Sequence, residues 1–119
     1  MILAALFIAA ADVASPAGFY RSNQIELGAA LELEQDGSFQ YQLDYGAVSE
    51  SAEGRWTSDG STIYLTSART TGSYQAGAFA REPLKIDGDR LLLNRYDTVI
   101  RFEREDLPAP VDRKIWGEN

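Results

Sequence analysis

The chain has 119 residues, 45% of them hydrophobic and 24% charged, with no cysteine, no histidine and a net charge of -7. This length suits one domain with a real core, and the composition is that of a folded protein. The acidic balance argues against nucleic acid as a partner, because phosphate binding needs a concentrated basic patch. Without Cys or His there are no disulfides, thiol nucleophiles, structural zinc sites or Ser-His-Asp triads, and neither a metal nor a cofactor is expected.

Residues 1–11, Met-Ile-Leu-Ala-Ala-Leu-Phe-Ile-Ala-Ala-Ala, are apolar throughout. The run is shorter than the ~20 residues of a bilayer-spanning helix and fits the apolar core of a secretory signal. Small residues then offer cleavage after Ala11 or after Ala14, although no Lys or Arg precedes Arg21. A buried N-terminal helix is the structural alternative. The expected division is a signal-like segment and short leader over 1–17, a β domain over 18–104 and a Pro-containing tail over 105–119. Periplasmic or secreted localisation follows, with no membrane span once the signal is removed.

From Gly18 onward the pattern is β. Gly18–Tyr20 reads as a first short strand and Glu26–Glu34 as a second, with Leu27, Ala29, Leu31 and Leu33 on one face. Asp36-Gly37 turns the chain into Ser38–Tyr45, where Phe39, Tyr41, Leu43 and Tyr45 alternate with polar residues. Such alternation specifies a sheet with one dry and one wet face. Gly46-Ala47 leads to a fourth strand, Val48–Thr57. Glu50 interrupts its apolar side, which predicts a bulge or strand end near that point. After Asp59-Gly60 comes Ser61–Ser67, then a polar loop over Ala68–Gly77. A sixth strand, Ala78–Ile86, contains Pro83 and so is predicted to lie at an edge or a bulge. Asp87-Gly88 turns it into Arg90–Arg95, and Thr98–Arg104 is the eighth. Asp-Gly between alternating runs is a strong hairpin signal, and three of them imply an up-and-down meander.

Eight short antiparallel strands avoid bare edges by closing. The expected fold is therefore all-β: an up-and-down meander closing into a small barrel, with a two-sheet sandwich as second choice. Phe39, Tyr41, Tyr45 and Trp56 share the inner face. They either line a pocket for a small apolar ligand or simply fill the barrel. Tyr74, in the 68–77 loop between Gly72 and Gly77, is a candidate lid residue. The carboxylates Glu50, Glu53, Glu103, Glu105 and Asp106 read as solvated charge rather than a catalytic pair, since Glu50 and Glu53 fall on opposite faces. Arg55, Arg95 and Arg101 are expected to pair with Glu on neighbouring strands. An Arg pointing inward would instead be a carboxylate-binding group.

The order Gly18-x-Tyr20, Leu31-x-Leu33-x-x-Asp36-Gly37-x-Phe39, Gly46, Gly54-x-Trp56 and Ile63-x-Leu65 resembles small bacterial lipocalin-like and calycin-like export domains, over roughly residues 18 to 104. The resemblance implies a lipocalin-like barrel outside the cytoplasm. Gly-x-Trp lies on the first strand of true lipocalins, whereas here that place holds Gly18-Phe19-Tyr20. The functional expectation is a non-enzymatic exported barrel that binds a small apolar ligand or an envelope protein. A structural or interaction module of the periplasm is the alternative, and a carboxylate-dependent hydrolase comes third.

Overall fold

A computed structural model describes residues 15–72 and 79–105. Its eight strands are β1 (Gly18–Gln24), β2 (Leu27–Leu33), β3 (Ser38–Tyr45), β4 (Val48–Ser58), β5 (Thr62–Gly72), β6 (Ala80–Asp87), β7 (Arg90–Arg95) and β8 (Thr98–Glu105). They are hydrogen-bonded in sequence order, and β8 returns to β1, so the sheet is a closed antiparallel barrel. Closure is what the alternation demands. In β2, Leu27, Ala29, Leu31 and Leu33 are all buried, and the residues between them are not. In β3, Phe39, Tyr41 and Leu43 are buried while Gln40, Gln42 and Asp44 are exposed.

The inward set fills the barrel. Leu31, Leu43, Ile63, Leu65, Leu84, Leu93, Ile100 and Phe102 have no exposed surface, and Phe39, Phe79, Leu33 and Leu91 almost none. Burying each such side chain contributes about 1.5–3 kcal/mol, which makes this packing the main source of stability. The outward face is polar, the reverse of the lipid-facing apolar band of a membrane barrel. Among the described residues no helix is long and apolar enough to cross a membrane.

The turns sort into two ends. Those between β2 and β3, β4 and β5, and β6 and β7 contain the three Asp-Gly pairs and lie together. There the glycines supply the left-handed backbone, with φ of 94° at Gly37, 100° at Gly60 and 65° at Gly88. Asp36 accepts hydrogen bonds from the Ser38 N–H and hydroxyl, and Asp59 from the N–H groups of Ser61 and Thr62. At this end the Arg104 guanidinium also donates to the Ala17 carbonyl at 2.7 Å and to the Tyr20 hydroxyl at 3.1 Å, pinning the residues before β1 to β8.

The opposite end carries the β1–β2, β3–β4 and β7–β8 turns. Here Glu26, Tyr96 and Asp97 adopt φ of 59°, 54° and 57° without being glycine. Two seams are also short. The β6–β7 ladder pairs only Lys85–Asp87 with Arg90–Leu92, and the β1–β8 ladder only Phe19–Arg21 with Glu103–Glu105. Both ladders begin at the Asp-Gly end. Towards the other end the Gln24 side chain bridges β1 and β8, donating to the Val99 carbonyl and accepting from the Arg101 N–H.

Two expectations change. β5 continues to Gly72, so the polar loop does not begin at Ala68. The β-pairing carries Ser51–Thr71 and Ala52–Thr70 opposite each other, which orders these Thr residues as strand. The bulge falls not at Glu50 but opposite Glu53 and Gly54, where Ala68 of β5 is the extra residue. It falls there because a Cβ on Gly54 would lie 2.1 Å from the Thr66 carbonyl oxygen, so only glycine permits that approach. The expected irregularity around Pro83 is present: the register of β6 against β5 shifts near Leu65, and Arg81 has φ of 59°.

Candidate functional site

Glu50 lies on β4 opposite Leu43 and points into the barrel, near the end that lacks the Asp-Gly turns. It is the one buried charged residue among the described residues, and its side chain is 1% exposed. The expectation of solvated charge is thus wrong for Glu50. Inward parity, shared with Val48 and Ala52, places it in the core.

A buried carboxylate must be paired and hydrogen-bonded to remain charged. Arg95, the last residue of β7, supplies the pairing from the same inward parity as Leu91 and Leu93. Its Nε donates to Glu50 Oε2 at 2.7 Å and its Nη2 to Oε1 at 3.2 Å. Tyr41 on β3 donates its hydroxyl to Oε2 at 2.8 Å, and Tyr96 in the β7–β8 turn donates to Oε1 at 2.5 Å. Each carboxylate oxygen therefore accepts two hydrogen bonds, which fills its capacity. The guanidinium lies 4.8 Å from the centre of the Phe79 ring and 5.1 Å from that of Tyr96. Phe79 in turn meets Tyr41 edge-on at 4.9 Å.

The charge states follow from this geometry. Burial by itself pushes the Glu50 carboxyl upward. Hydrogen bonds from Arg95, Tyr96 and Tyr41, with the Arg95 charge, outweigh it and hold the group below its ordinary value. Burial and the adjacent Glu50 charge push the Tyr41 phenol well above the usual range, so it remains a donor. Burial alone would lower Arg95, but its bonds and attraction to Glu50 raise it further. At neutral pH the cluster is a neutral ion pair.

The predicted ligand-binding residues are not brought to one place. Tyr41 is in the cluster, and Phe39 packs below it with its ring 6.3 Å from Phe79. Tyr45 is half-buried beside Tyr96, ring centres 6.3 Å apart. Trp56 is displaced to the Asp-Gly end, where its Nε1 donates to the Glu34 carbonyl at 2.8 Å and its backbone N–H to that of Gly37. Tyr74 lies outside the described residues. Gly72, placed by the sequence in the 68–77 loop, ends β5 instead. A Cβ there would come within 2.2 Å of the Ser49 carbonyl oxygen and 2.5 Å of the Glu50 Cα, so this glycine lets β5 pass close to the Glu50 backbone.

Sequence reading missed Phe79 and Tyr96 and separated Glu50 from Arg95. Of the three Arg residues expected to pair with Glu on neighbouring strands, Arg95 reaches across the barrel instead, and Arg55 donates to the Asp36 carbonyl. Among the described residues no group of three or more Asp or Glu comes together that could hold a metal ion.

Two cavities bear on access. One, of about 780 Å³, lies on the outside of the β7–β8 hairpin and is lined by Arg95, Tyr96, Asn94, Asp97, Thr98 and Arg101, among others. The other, of about 380 Å³, is a groove on the outer face of β1–β5 between Phe19, Gln40, Gln42 and Arg69. No family model, curated protein or solved structure matches the chain.

Proposed function

We propose that the chain is a non-enzymatic, exported β-barrel of lipocalin-like character that binds a small ligand at the Glu50 end. The observation that carries this reading is the cluster of Glu50, Arg95, Tyr41 and Tyr96 beneath the half-buried Tyr45 and Val48. Polar groups convergent within an aromatic surround are how small-molecule sites fix orientation. Deeper in the barrel Leu and Phe side chains occupy the space, so the ligand is small and sits near the barrel end. The apolar N-terminal run supports export to the periplasm or beyond. The absence of His and Cys and the saturation of Glu50 by donors both favour binding over catalysis.

A titration with 1-hexanol, followed by amide NMR on the full chain, tests this reading. Saturable shifts confined to Tyr45, Val48, Phe79 and Tyr96 are expected. Shifts absent, or spread over the outer face, would contradict it.

A second reading, a structural or interaction module of the cell envelope, has its own support. The barrel interior is filled by fully buried side chains, and no buried side-chain N or O among the described residues lacks a partner. Under this reading the ion pair is a structural tie and hexanol finds no site.

A further inference from the structure

We infer that the Glu50 side chain is a built-in occupant of a carboxylate seat, and that the ligand at this end is a monocarboxylate with a short apolar tail. The ligand would take the place of Glu50 on Arg95, Tyr41 and Tyr96. This inference rests on the ligand-binding reading above and deepens it.

Three observations carry it. First, the donors do not depend on the strand that bears Glu50. Tyr41 comes from β3, Arg95 from β7 and Tyr96 from the following turn, and all three converge on one carboxylate. A guanidinium fork flanked by phenol hydroxyls recognises the planar, two-oxygen shape of a carboxylate rather than a point charge. Second, two of the donors, Arg95 and Tyr96, reach the surface. The Arg95 side chain remains 13% exposed and lines the outer cavity of the β7–β8 hairpin. Arg101 lies on the same cavity wall and adds positive charge to the approach, against the single acidic residue there, Asp97. Third, the turn beside the seat is strained. Tyr96 and Asp97 both hold left-handed backbone, which a two-residue turn of this kind normally assigns to Asn and Gly. Such strain is retained when surrounding contacts over-determine it, and it clusters where a structure must change state. Here the Tyr96 hydroxyl on Glu50 ties the turn to the core, beside the ring contacts of Tyr96 with Tyr45 and the Arg95 guanidinium.

Exchange of one carboxylate for another leaves the guanidinium unpaired only in passing. Glu50 leaves as a hydrated anion two residues from the β3–β4 turn, while the incoming carboxylate restores the same four bonds. A neutral ligand has no such exchange available and must leave the ion pair in place. Competition from Glu50 lowers the apparent affinity for the acid by the fraction of time the seat is free.

The test compares sodium hexanoate with 1-hexanol on the full chain at neutral pH, using amide NMR together with the Arg95 Nε–H and Glu50 side-chain carboxyl resonances. Hexanoate is expected to bind about tenfold tighter than hexanol, a step of one decade in Kd, and to move both side-chain resonances. Glu50→Gln, which removes the competing charge, is expected to tighten hexanoate by about another tenfold and to change hexanol by much less. If hexanol binds as tightly as hexanoate, or hexanoate binds without moving the Arg95 resonance, the carboxylate seat is overturned while the binding function stands. If neither compound binds, both fall. The wild-type resonances decide the matter even if the Gln variant does not fold.

Discussion

The two ends of the barrel solve the same problem, turning a strand back on its neighbour, by different means. At the Asp-Gly end glycine takes the left-handed backbone in all three turns, Asp36 and Asp59 cap N–H groups two or three residues away, and Arg55 and Trp56 of β4 add bonds to the carbonyls of the β2–β3 turn. At the Glu50 end, Tyr96 and Asp97 adopt that backbone without glycine, and the turn is held by a hydroxyl bond to a residue 46 positions earlier in the chain. The first end is specified mainly by its own turn residues, whereas the β7–β8 turn of the other leans on a buried, long-range polar cluster. The β6–β7 and β1–β8 ladders are confined to the locally specified end, so the other end depends further on side chains.

That contrast sets the sizes of expected effects. Glu50→Ala should be the most damaging single change. Removing one partner of a buried ion pair strands the other, and the loss should be about 3–5 kcal/mol by urea unfolding. The double variant Glu50→Leu with Arg95→Met should be less damaging than Glu50→Ala, because no charge is then left unpaired. Equal losses would mean that the pair contributes packing alone.

Gly72→Ala at the same end forces an L side chain into φ of 105° and against the Ser49 carbonyl. A loss of about 2 kcal/mol or more is expected in the same assay. At the Asp-Gly end Trp56→Phe removes the bond to the Glu34 carbonyl and some half-buried ring surface, and should lose about 1 kcal/mol.

The pH dependence has a definite sign. The Glu50 carboxyl is held below its ordinary value of 4.5 in the fold. The folded state therefore favours the anion more than the unfolded chain does. The resulting stability is fully present above that ordinary value and drains away as pH falls through the lower, folded one. Asp36 and Asp59 are lowered as well, mainly by hydrogen bonds from Ser38 and from Ser61 and Thr62, and they act in the same direction. Thermal melts of wild type and Glu50→Gln from pH 7 to pH 3 should therefore converge as the pH falls. A constant gap would contradict the charge argument.

The smallest effect runs the other way. Asp97→Gly relieves a left-handed aspartate and should stabilise by a few tenths of a kcal/mol, roughly the difference between backbone relief and glycine entropy. Tyr96→Gly should destabilise, because it relieves the same strain but loses the bond to Glu50.

The barrel was legible in the sequence because its signals are local. Period-two alternation in Leu27–Leu33 and Ser38–Tyr45 and the three Asp-Gly pairs need no knowledge of distant residues. The polar cluster was half legible. Glu50 shares inward parity with Ala52, and Arg95 with Leu91 and Leu93, so two opposite charges stood on apolar faces near strand ends. That pairing is the signal that could have found them. What hid it is distance: Glu50 and Arg95 are 45 residues apart and meet across the barrel, not along a ladder. Trp56 was misplaced for another reason. β4 is regular against β3 from Val48, opposite Tyr45, to Arg55, opposite Ser38, so its length alone carries the Trp56 ring to the far end from Tyr45.

Amide hydrogen exchange on wild type and Glu50→Gln tests the division between the two ends most directly. Long-range tethering predicts lost protection confined to Leu43, Ser51, Ala52, Leu93 and Ile100, with Phe39, Ile86 and Leu91 unchanged at the Asp-Gly end. Uniform loss over the barrel, or none near Glu50, would contradict it.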